Sequence, residues 1–237
     1  VRECAGSKYA SYPIVSILNK LDKSKKYAIT ALPCHIKAIK KMGLKNLFII
    51  GLTCSGNYSE DSVKYFVQKK KIDYKKIKYL NHREGLWPGV LKIVSGENKW
   101  TFKHNRSEWN GFRSSFFHQP ACLLCNDLLA EEADISLADP WGLDKYYKNY
   151  GESIVISRSK KGQDLIRRME KKGSIVLDEL DSKQLLAAQK NGLIKKKISI
   201  YNRVKLMKFL GIKLPKIKIV KPINSWKLDL YYVAEIF

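Results

Sequence analysis

Residues 26–35 read Lys-Tyr-Ala-Ile-Thr-Ala-Leu-Pro-Cys-His, and residues 46–56 read Asn-Leu-Phe-Ile-Ile-Gly-Leu-Thr-Cys-Ser-Gly. Each stretch is a short apolar run that ends in a cysteine, Cys34 or Cys54, and a helical pattern follows each of them. A strand–helix–strand–helix order predicts parallel neighbouring strands joined by short crossovers. Since the loops after parallel strands open on one edge of a sheet, the sequence places Cys34 and Cys54 near each other at that edge.

A second pair of cysteines lies in the segment from Gln119 to Gly142, which begins Gln-Pro-Ala-Cys-Leu-Leu-Cys. Cys122 and Cys125 form a Cys-x-x-Cys motif, in which a tight turn aims two sulfurs at one point, as a metal ion or an iron–sulfur cluster requires. A redox-active dithiol and a structural zinc site are the alternative interpretations. The apolar run at residues 133–138, closed by Asp-Pro-Trp-Gly, predicts a strand that ends in a loop.

The five cysteines divide into four plus one. Cys34, Cys54, Cys122 and Cys125 follow strands or lie in loops, and Cys4 stands apart near the start of the sequence. An odd count in a chain with no sign of export argues against a disulfide framework. Four thiolates can hold a four-iron, four-sulfur cluster or a tetrahedral zinc ion. One Cys-x-x-Cys pair with two separate cysteines favours the cluster, because zinc ribbons commonly use two such pairs.

The remaining pattern predicts an α/β fold with a mostly parallel sheet, flanking helices and a small antiparallel β insertion. The insertion consists of short strands at residues 77–80, 89–94 and 99–103. Further strands are predicted at residues 153–157 and 174–177, and helices at residues 108–118, 160–172, 182–190 and 204–210. We expect one main domain over residues 1–191 and a basic C-terminal extension over residues 192–237.

Composition limits the classes of function. The 237 residues include 45 Lys and Arg against 22 Asp and Glu, a net charge of +23, and 45% are hydrophobic, which is typical of a globular protein. Most of the charge is lysine in short runs such as residues 195–197, which indicates a solvated surface rather than a nucleic-acid face. An anionic cofactor or an acidic partner subunit would also benefit from this charge. No apolar run is long enough to cross a bilayer and the first residues lack an apolar signal region, so we expect a cytoplasmic protein.

Two loops are candidates for holding an anionic cofactor. Residues 6–9, Gly-Ser-Lys-Tyr, form a small basic turn before a helical pattern, and free N–H groups at a helix start beside a lysine can seat a phosphate. A plain turn before a helix is the alternative. Arg83 and Trp87 lie in a second loop, where they can pair with and stack on an anionic ring. The alternative there is a bent loop with a partly buried tryptophan.

Five motifs occur in one order along the chain. They are Ala-Gly-Ser-Lys-Tyr at residues 5–9, Leu-Pro-Cys-His-Ile-Lys-Ala-Ile at 32–39, Gly-Leu-Thr-Cys-Ser-Gly at 51–56, Trp-Pro-Gly at 87–89, and the Cys-x-x-Cys motif followed by Ala-Asp-Ile-Ser-Leu-Ala-Asp-Pro-Trp-Gly at 133–142. In this order and spacing, the sequence from Ala5 to about Gly192 resembles the beta subunit family of coenzyme F420 hydrogenases and dehydrogenases, whose relatives include formate dehydrogenase beta subunits.

The resemblance implies an iron–sulfur flavoprotein, with FAD beside a four-iron, four-sulfur cluster and hydride transfer to or from coenzyme F420, a deazaflavin, or a similar acceptor. The family's cluster ligands fall on Cys34, Cys54, Cys122 and Cys125. Its flavin motif falls on Gly6, Ser7, Lys8 and Tyr9, with Arg83 and Trp87 as weaker flavin-side candidates. Asp139 is expected to organise the loop under the cluster, and no catalytic residue is predicted.

The same resemblance implies other redox subunits as partners, of hydrogenase, formate dehydrogenase or ferredoxin type. Because the relatives carry an upstream portion, we expect this chain to be the C-terminal portion of such a subunit, incomplete at its N-terminus. A zinc-stabilised basic module that binds nucleic acid or a protein partner, without redox activity, is the alternative of a different class. A third possibility is a degenerate family member that keeps the cluster and passes electrons without flavin.

Overall fold

The computed structural model describes residues 9, 12–22, 24–44, 46–103, 115–143, 151–216 and 219. The predicted cofactor residues Gly6, Ser7 and Lys8 lie outside this part of the chain, as do Cys4 and most of the helix predicted at residues 108–118. In chain order the main elements are α1 (Ile14–Leu18), β1 (Tyr27–Ala31), α2 (Pro33–Lys41), β2 (Leu47–Leu52), α3 (Glu60–Lys69), β3 (Ile77–Glu84), β4 (Val90–Ser95), β5 (Asn98–Lys103), α4 (Pro120–Leu123), β6 (Ile135–Ala138), β7 (Ile154–Ser157), α5 (Lys160–Lys171), α6 (Ser182–Leu193) and α7 (Ile200–Phe209).

The main sheet has the strand order β1-β2-β6-β7. β1 pairs with β2 and β2 pairs with β6 in parallel, whereas β7 runs antiparallel to β6 at the edge of the sheet. A separate antiparallel sheet, β3-β4-β5, lies between α3 and α4 in the sequence. The predicted fold class, a mostly parallel sheet with flanking helices and an antiparallel insertion, is therefore confirmed.

The core of the main sheet forms where β1, β2 and α2 meet. Ile36 and Ile39 of α2 pack with Ile49 of β2, and all three are almost completely buried. Gly51 lies at the point of closest approach, since a Cβ atom there would come within 2.4 Å of the Cβ of Ala130. This contact holds the segment that follows Cys125 directly against the end of β2, so the packing that stabilises the sheet also positions the second pair of cysteines.

A buried carboxylate, Asp134, fastens β2 to the start of α5. Asp134 is 1% exposed, and its oxygens accept from the backbone N–H of Ile49 (2.8 Å), the hydroxyl of Ser159 (2.8 Å) and the ammonium of Lys161 (2.9 Å). Burial by itself would raise the pKa of Asp134, but the donors from Ile49, Lys161 and Ser159 outweigh it and hold that pKa below its ordinary value. The carboxylate is therefore ionised in the folded protein at neutral pH.

The antiparallel insertion has its own small core. Leu91 and Ile93 of β4 are fully buried and pack with Phe66 and Val67 of α3. The alternation of buried and half-buried residues along β4 is the pattern expected of a strand with one face on a helix.

One predicted strand differs from the structure. The strand predicted at residues 174–177 is wrong, because the chain there is irregular and Val176 is 93% exposed. β-branched residues favour strands only where a neighbouring strand and a buried face are present. Residues 191 and 192, between which the domain boundary is predicted, lie inside α6, which is followed by a π-helical turn, Ile194–Ile198, and by α7; the division into two domains stays a prediction. Within the described residues, no helix combines the length and apolar character that a membrane span requires.

A capping box closes the start of α6 and should contribute measurably to the stability of the protein. The Asp181 carboxylate accepts from the Gln184 backbone N–H (2.7 Å), and the Gln184 side chain accepts from the Asp181 backbone N–H (3.1 Å). We expect Asp181→Ala to lower the free energy of unfolding by about 1 kcal/mol, because the cap at the helix start is lost. Urea unfolding measures this. Asp178→Ala removes an exposed carboxylate outside the helix and is the matched control, and equal losses in both variants would contradict the role of the cap.

Candidate metal centre

Cys34 and Cys54 lie at the same edge of the main sheet. Pro33 begins α2 directly after β1, so Cys34 lies in the first turn of that helix, and Cys54 follows β2 by two residues. Because β1 and β2 are parallel and Ala31 pairs with Gly51, both cysteines follow strand ends that lie side by side. This juxtaposition is the one that the strand–cysteine–helix repeat predicts.

The Cys-x-x-Cys segment is hydrogen-bonded to the loop that carries Cys54. The backbone N–H of Cys54 donates to the carbonyl of Leu128 (3.0 Å), and the backbone N–H of Asn57 donates to the Sγ of Cys122 (3.4 Å). Cys122 lies in the single turn of α4, and the Cys125 thiol points back to the carbonyl of Asp127 (3.4 Å). These bonds hold the pair of cysteines beside the carboxyl ends of the parallel strands.

The Cys34 thiol interacts electrostatically with the thiols of Cys125 and Cys122, and the Cys54 thiol with those of Cys122 and Cys34. Partial burial raises the pKa of the Cys34 thiol, and negative charge on Cys125 and Cys122 raises it further. Burial raises the pKa of the Cys54 thiol to about 11, with smaller contributions from Cys122 and Cys34. The four cysteines thus share one region of the fold, and their role as metal or cluster ligands stays a prediction. Metal or cluster binding there would have to displace thiol protons.

In the described part of the chain, no three His, Cys, Asp or Glu side chains are arranged to hold one metal ion. A zinc ion would need its sulfurs at about 2.3 Å. A cluster of four irons and four sulfides is larger than one ion, so its ligand thiolates stand farther apart. Both a zinc ion and a four-iron, four-sulfur cluster therefore stay predictions for this site.

Two buried cations from the C-terminal helices lie behind the Cys-x-x-Cys segment. Lys196 is 1% exposed and its ammonium donates to the carbonyl of Cys122 (3.3 Å). Arg203 is 4% exposed and its Nε donates to the carbonyl of Leu123 (2.7 Å). Burial lowers the pKa of Arg203 to about 10, and negative charge on Cys125 opposes that shift. The cysteine site is therefore flanked by positive charge.

Sequence reasoning missed both of these cations. The run at residues 195–197 reads as a solvated lysine cluster, and that interpretation is wrong for Lys196, which is buried in the π-helical turn. The available signal was spacing, because Ile200 and Arg203 follow Lys196 at four and seven residues, on the same face of a helix. A π-helical turn inside a helical run is itself often associated with functional sites.

The predicted cofactor loop around Arg83 and Trp87 is engaged with the main sheet. Arg83 pairs with Asp139 (Nη1–Oδ2, 2.7 Å), donates to the carbonyl of Pro88 (2.9 Å) and lies over the ring of Trp141 (5.6 Å). The rings of Trp87 and Trp141 are 4.9 Å apart. The ion pair between Arg83 and Asp139 thus connects the insertion to the loop after β6. The roles predicted for Arg83 and Trp87 at a flavin stay predictions.

Tyr9 is the residue of the predicted flavin motif that the structure describes. Its ring meets those of His82 (5.1 Å) and Tyr58 (6.0 Å) edge to face. Tyr58 follows the Cys54 loop and is buried, so the end of the motif lies against the loop that carries one of the four thiols.

Fold and site together define an α/β protein that gathers four thiols at the carboxyl edge of a parallel sheet. Residues 24–183 match the family described as the C terminus of the coenzyme F420 hydrogenase/dehydrogenase beta subunit. The chain belongs to this family, and the resemblance inferred from the five motifs is confirmed.

Individual relatives agree with the family. The coenzyme F420 hydrogenase subunit beta of Methanococcus voltae is 28% identical over 201 residues, covering 76% of this chain and 63% of the relative. The coenzyme F420-dependent sulfite reductase of Methanocaldococcus jannaschii is 27% identical over 203 residues, covering 75% of this chain and 29% of the relative. The F420-dependent formate dehydrogenase subunit beta of the same organism is 26% identical over 201 residues, covering 79% of this chain and 48% of the relative. The match spans less than two thirds of the length of each relative, so the predicted oxidoreductase activity of this chain stays a prediction.

A solved structure shows the same fold. A chain of the F420-reducing NiFe hydrogenase complex from Methanosarcina barkeri superposes with a TM-score of 0.57 at 20% sequence identity, covering 94% of this chain and 74% of that chain.

Proposed function

We propose that this chain holds a four-iron, four-sulfur cluster on Cys34, Cys54, Cys122 and Cys125 and serves as the electron-transferring part of an F420-linked redox subunit. The observation that carries the proposal is the convergence of these thiols at one edge of the parallel sheet, from three separate segments of the chain. Four thiolates are the ligand set of such a cluster.

The surroundings of the thiols suit this role. The Asn57 N–H already donates to the sulfur of Cys122. The buried hydroxyl of Thr53, immediately before Cys54, has no hydrogen-bond partner in the described part of the chain. Hydrogen bonds to ligand sulfurs and limited solvent access tune the reduction potential of a cluster. Burial and these donors are thus the means by which the chain would set that potential.

We also propose that the chain contributes to an FAD site and exchanges hydride with coenzyme F420 or a similar acceptor. A bound flavin takes up two electrons as a hydride and releases them singly, and a cluster accepts them one at a time. Support comes from the names of the relatives, which refer to coenzyme F420, and from Tyr9, whose contacts bring the end of the predicted flavin motif close to the Cys54 loop. Arg83 and Trp87 remain candidates at the edge of this site.

Partner proteins are the third part of the proposal. Three of the relatives are named as subunits of a hydrogenase or a formate dehydrogenase, and a further one as a sulfite reductase. We propose that this chain likewise works with other redox proteins, of hydrogenase, formate dehydrogenase or ferredoxin type. The net charge of +23 favours acidic surfaces on such partners.

Anaerobic purification and reconstitution with iron, sulfide and FAD test the proposal. We expect a brown protein with about four irons and four sulfides per chain. A colourless protein that binds zinc and excludes iron would contradict it and would favour a zinc-stabilised basic module. A loaded cluster with no FAD recovered after acid release would support the cluster and contradict the flavin site in this chain.

A further inference from the structure

The C-terminal helical run packs directly over the Cys-x-x-Cys segment. Gly192, near the end of α6, lies so close to Leu128 that a Cβ there would come within 2.8 Å of the Leu128 methyl groups. Lys197 forms an ion pair with Glu131 at the surface of the same contact. These contacts bring the π-helical turn and α7 against the segment that follows Cys122.

The two buried cations in this run lack a carboxylate partner. Among the described residues, Lys196 and Arg203 make no ion pair, and their hydrogen-bond acceptors are backbone carbonyls at Cys122, Leu123 and Lys195. Burying a charge without a counter-charge consumes a large part of the stability of a typical domain. Hydrogen bonds to neutral carbonyls satisfy the N–H donors but do not neutralise the charge. A negative group near both cations is needed to offset this cost.

A four-iron, four-sulfur cluster held by the four cysteines would supply that negative charge. Lys196 donates to the carbonyl of Cys122 (3.3 Å) and Arg203 to the carbonyl of Leu123 (2.7 Å), so both cations lie against the segment that carries two of the four thiols. An oxidised cluster on four thiolates carries a net negative charge, and the arrival of one electron increases it. The net charge of the surroundings is one of the factors that set a cluster's potential, and buried charges are screened much less than exposed ones.

We propose that Lys196 and Arg203 are positioning residues whose buried positive charges stabilise the reduced cluster and so raise its midpoint potential. The inference rests on the proposed function, because the negative charge in question is that of a cluster held by the four cysteines. The electron would come from dithionite in the experiment, and from the reduced flavin if the proposed FAD is bound. One electron enters the cluster and no bond is formed or broken.

The same lysine run offers a matched control. Lys196 and Lys197 are adjacent, and each loses one positive charge on substitution by methionine. The Lys197 side chain is 38% exposed and pairs with Glu131, whereas Lys196 is buried beside Cys122. Because water and salt screen an exposed charge, Lys197→Met removes the same formal charge with little effect at the cluster.

The test is an EPR-monitored redox titration of the reconstituted protein. At a fixed potential near the midpoint, we expect Lys196→Met to lower the ratio of reduced to oxidised cluster about tenfold, a shift of about 59 mV for one electron. Arg203→Met should shift the potential in the same direction, Arg203→Lys should retain most of the wild-type value, and Lys197→Met should leave it unchanged. A purely packing role would not separate Arg203→Lys from Arg203→Met in this way.

Several outcomes would overturn the inference. Lys196→Met and Arg203→Met proteins that load a full cluster and keep the wild-type midpoint potential would overturn it. A midpoint potential shifted as far in Lys197→Met as in Lys196→Met would also overturn it. If both methionine variants fail to load iron, Arg203→Lys decides, since retained loading supports a requirement for charge and lost loading contradicts it. A wild-type protein that takes up no iron and sulfide contradicts the proposed function itself, so the two failures are distinguishable.

Discussion

Cys122→Ser is expected to abolish the visible absorbance and the EPR signal of the reconstituted protein. Its sulfur accepts the N–H of Asn57, and its backbone carbonyl accepts from Lys196, so this residue lies at the centre of the contacts that hold the site together. A serine hydroxyl ionises far less readily than a thiol and provides no soft thiolate ligand for iron. Iron content, sulfide content and the anaerobic spectrum measure the loss.

Cys4→Ser is the matched control for this substitution. Cys4 lies outside the residues that the structure describes, and the four-plus-one division of the cysteines leaves it without a role in the cluster. We expect iron content and absorbance to be unchanged in Cys4→Ser. Equal loss in the two variants would contradict the assignment. Far-UV circular dichroism of the metal-free proteins separates loss of a ligand from loss of fold.

Asp134→Ala is expected to cause a large loss of stability. The substitution removes the acceptor for the buried N–H of Ile49 and for the hydroxyl of Ser159, and it breaks the contact with Lys161. Leaving buried donors unsatisfied costs about 1–3 kcal/mol each, so we expect the free energy of unfolding to fall by about 3 kcal/mol. The Lys161 side chain is half exposed, and its share of this loss is below about 1 kcal/mol. Urea unfolding at neutral pH measures the effect.

The pH dependence gives a second test of the same carboxylate. The folded-state pKa of Asp134 is lowered, so its contribution to stability is present above the unfolded-state pKa of about 4 and is lost as the pH falls through the folded-state value. The stability difference between wild type and Asp134→Ala should therefore narrow below about pH 4. Glu132→Ala removes an exposed carboxylate two residues away and should give neither the loss at neutral pH nor this narrowing. A difference that stays constant down to about pH 2 would contradict the assignment.

The sheet was predictable because its signals are local. β1 and β2 are continuous apolar runs. Pro33, which precedes Cys34 just after the first run, favours the start of a helix. The strand predicted at residues 174–177 failed for the complementary reason. Its Ile-Val pair has strand propensity, but no described strand lies beside it to pair with, and Val176 is left in solvent.

The candidate site was predictable only in part. The placement of Cys34 and Cys54 follows from the rule that parallel strands end on one edge, and the Cys-x-x-Cys pair follows from its own turn. The pairing of Arg83 with Asp139 joins residues far apart in the sequence, and nothing local indicates it. Lys196 was interpreted as a surface residue because its neighbours in the run are lysines, although the helical face on which it lies is buried.

By itself the sequence determined the order of the elements, the edge of the sheet at which two cysteines meet, and the family, because backbone propensities and short motifs act over a few residues. The tertiary structure alone decided that Arg83 is paired with Asp139 and that two cations are buried behind the Cys-x-x-Cys segment. These features depend on packing between distant segments, where the cost of burying a charge is decided by which groups the fold places next to it.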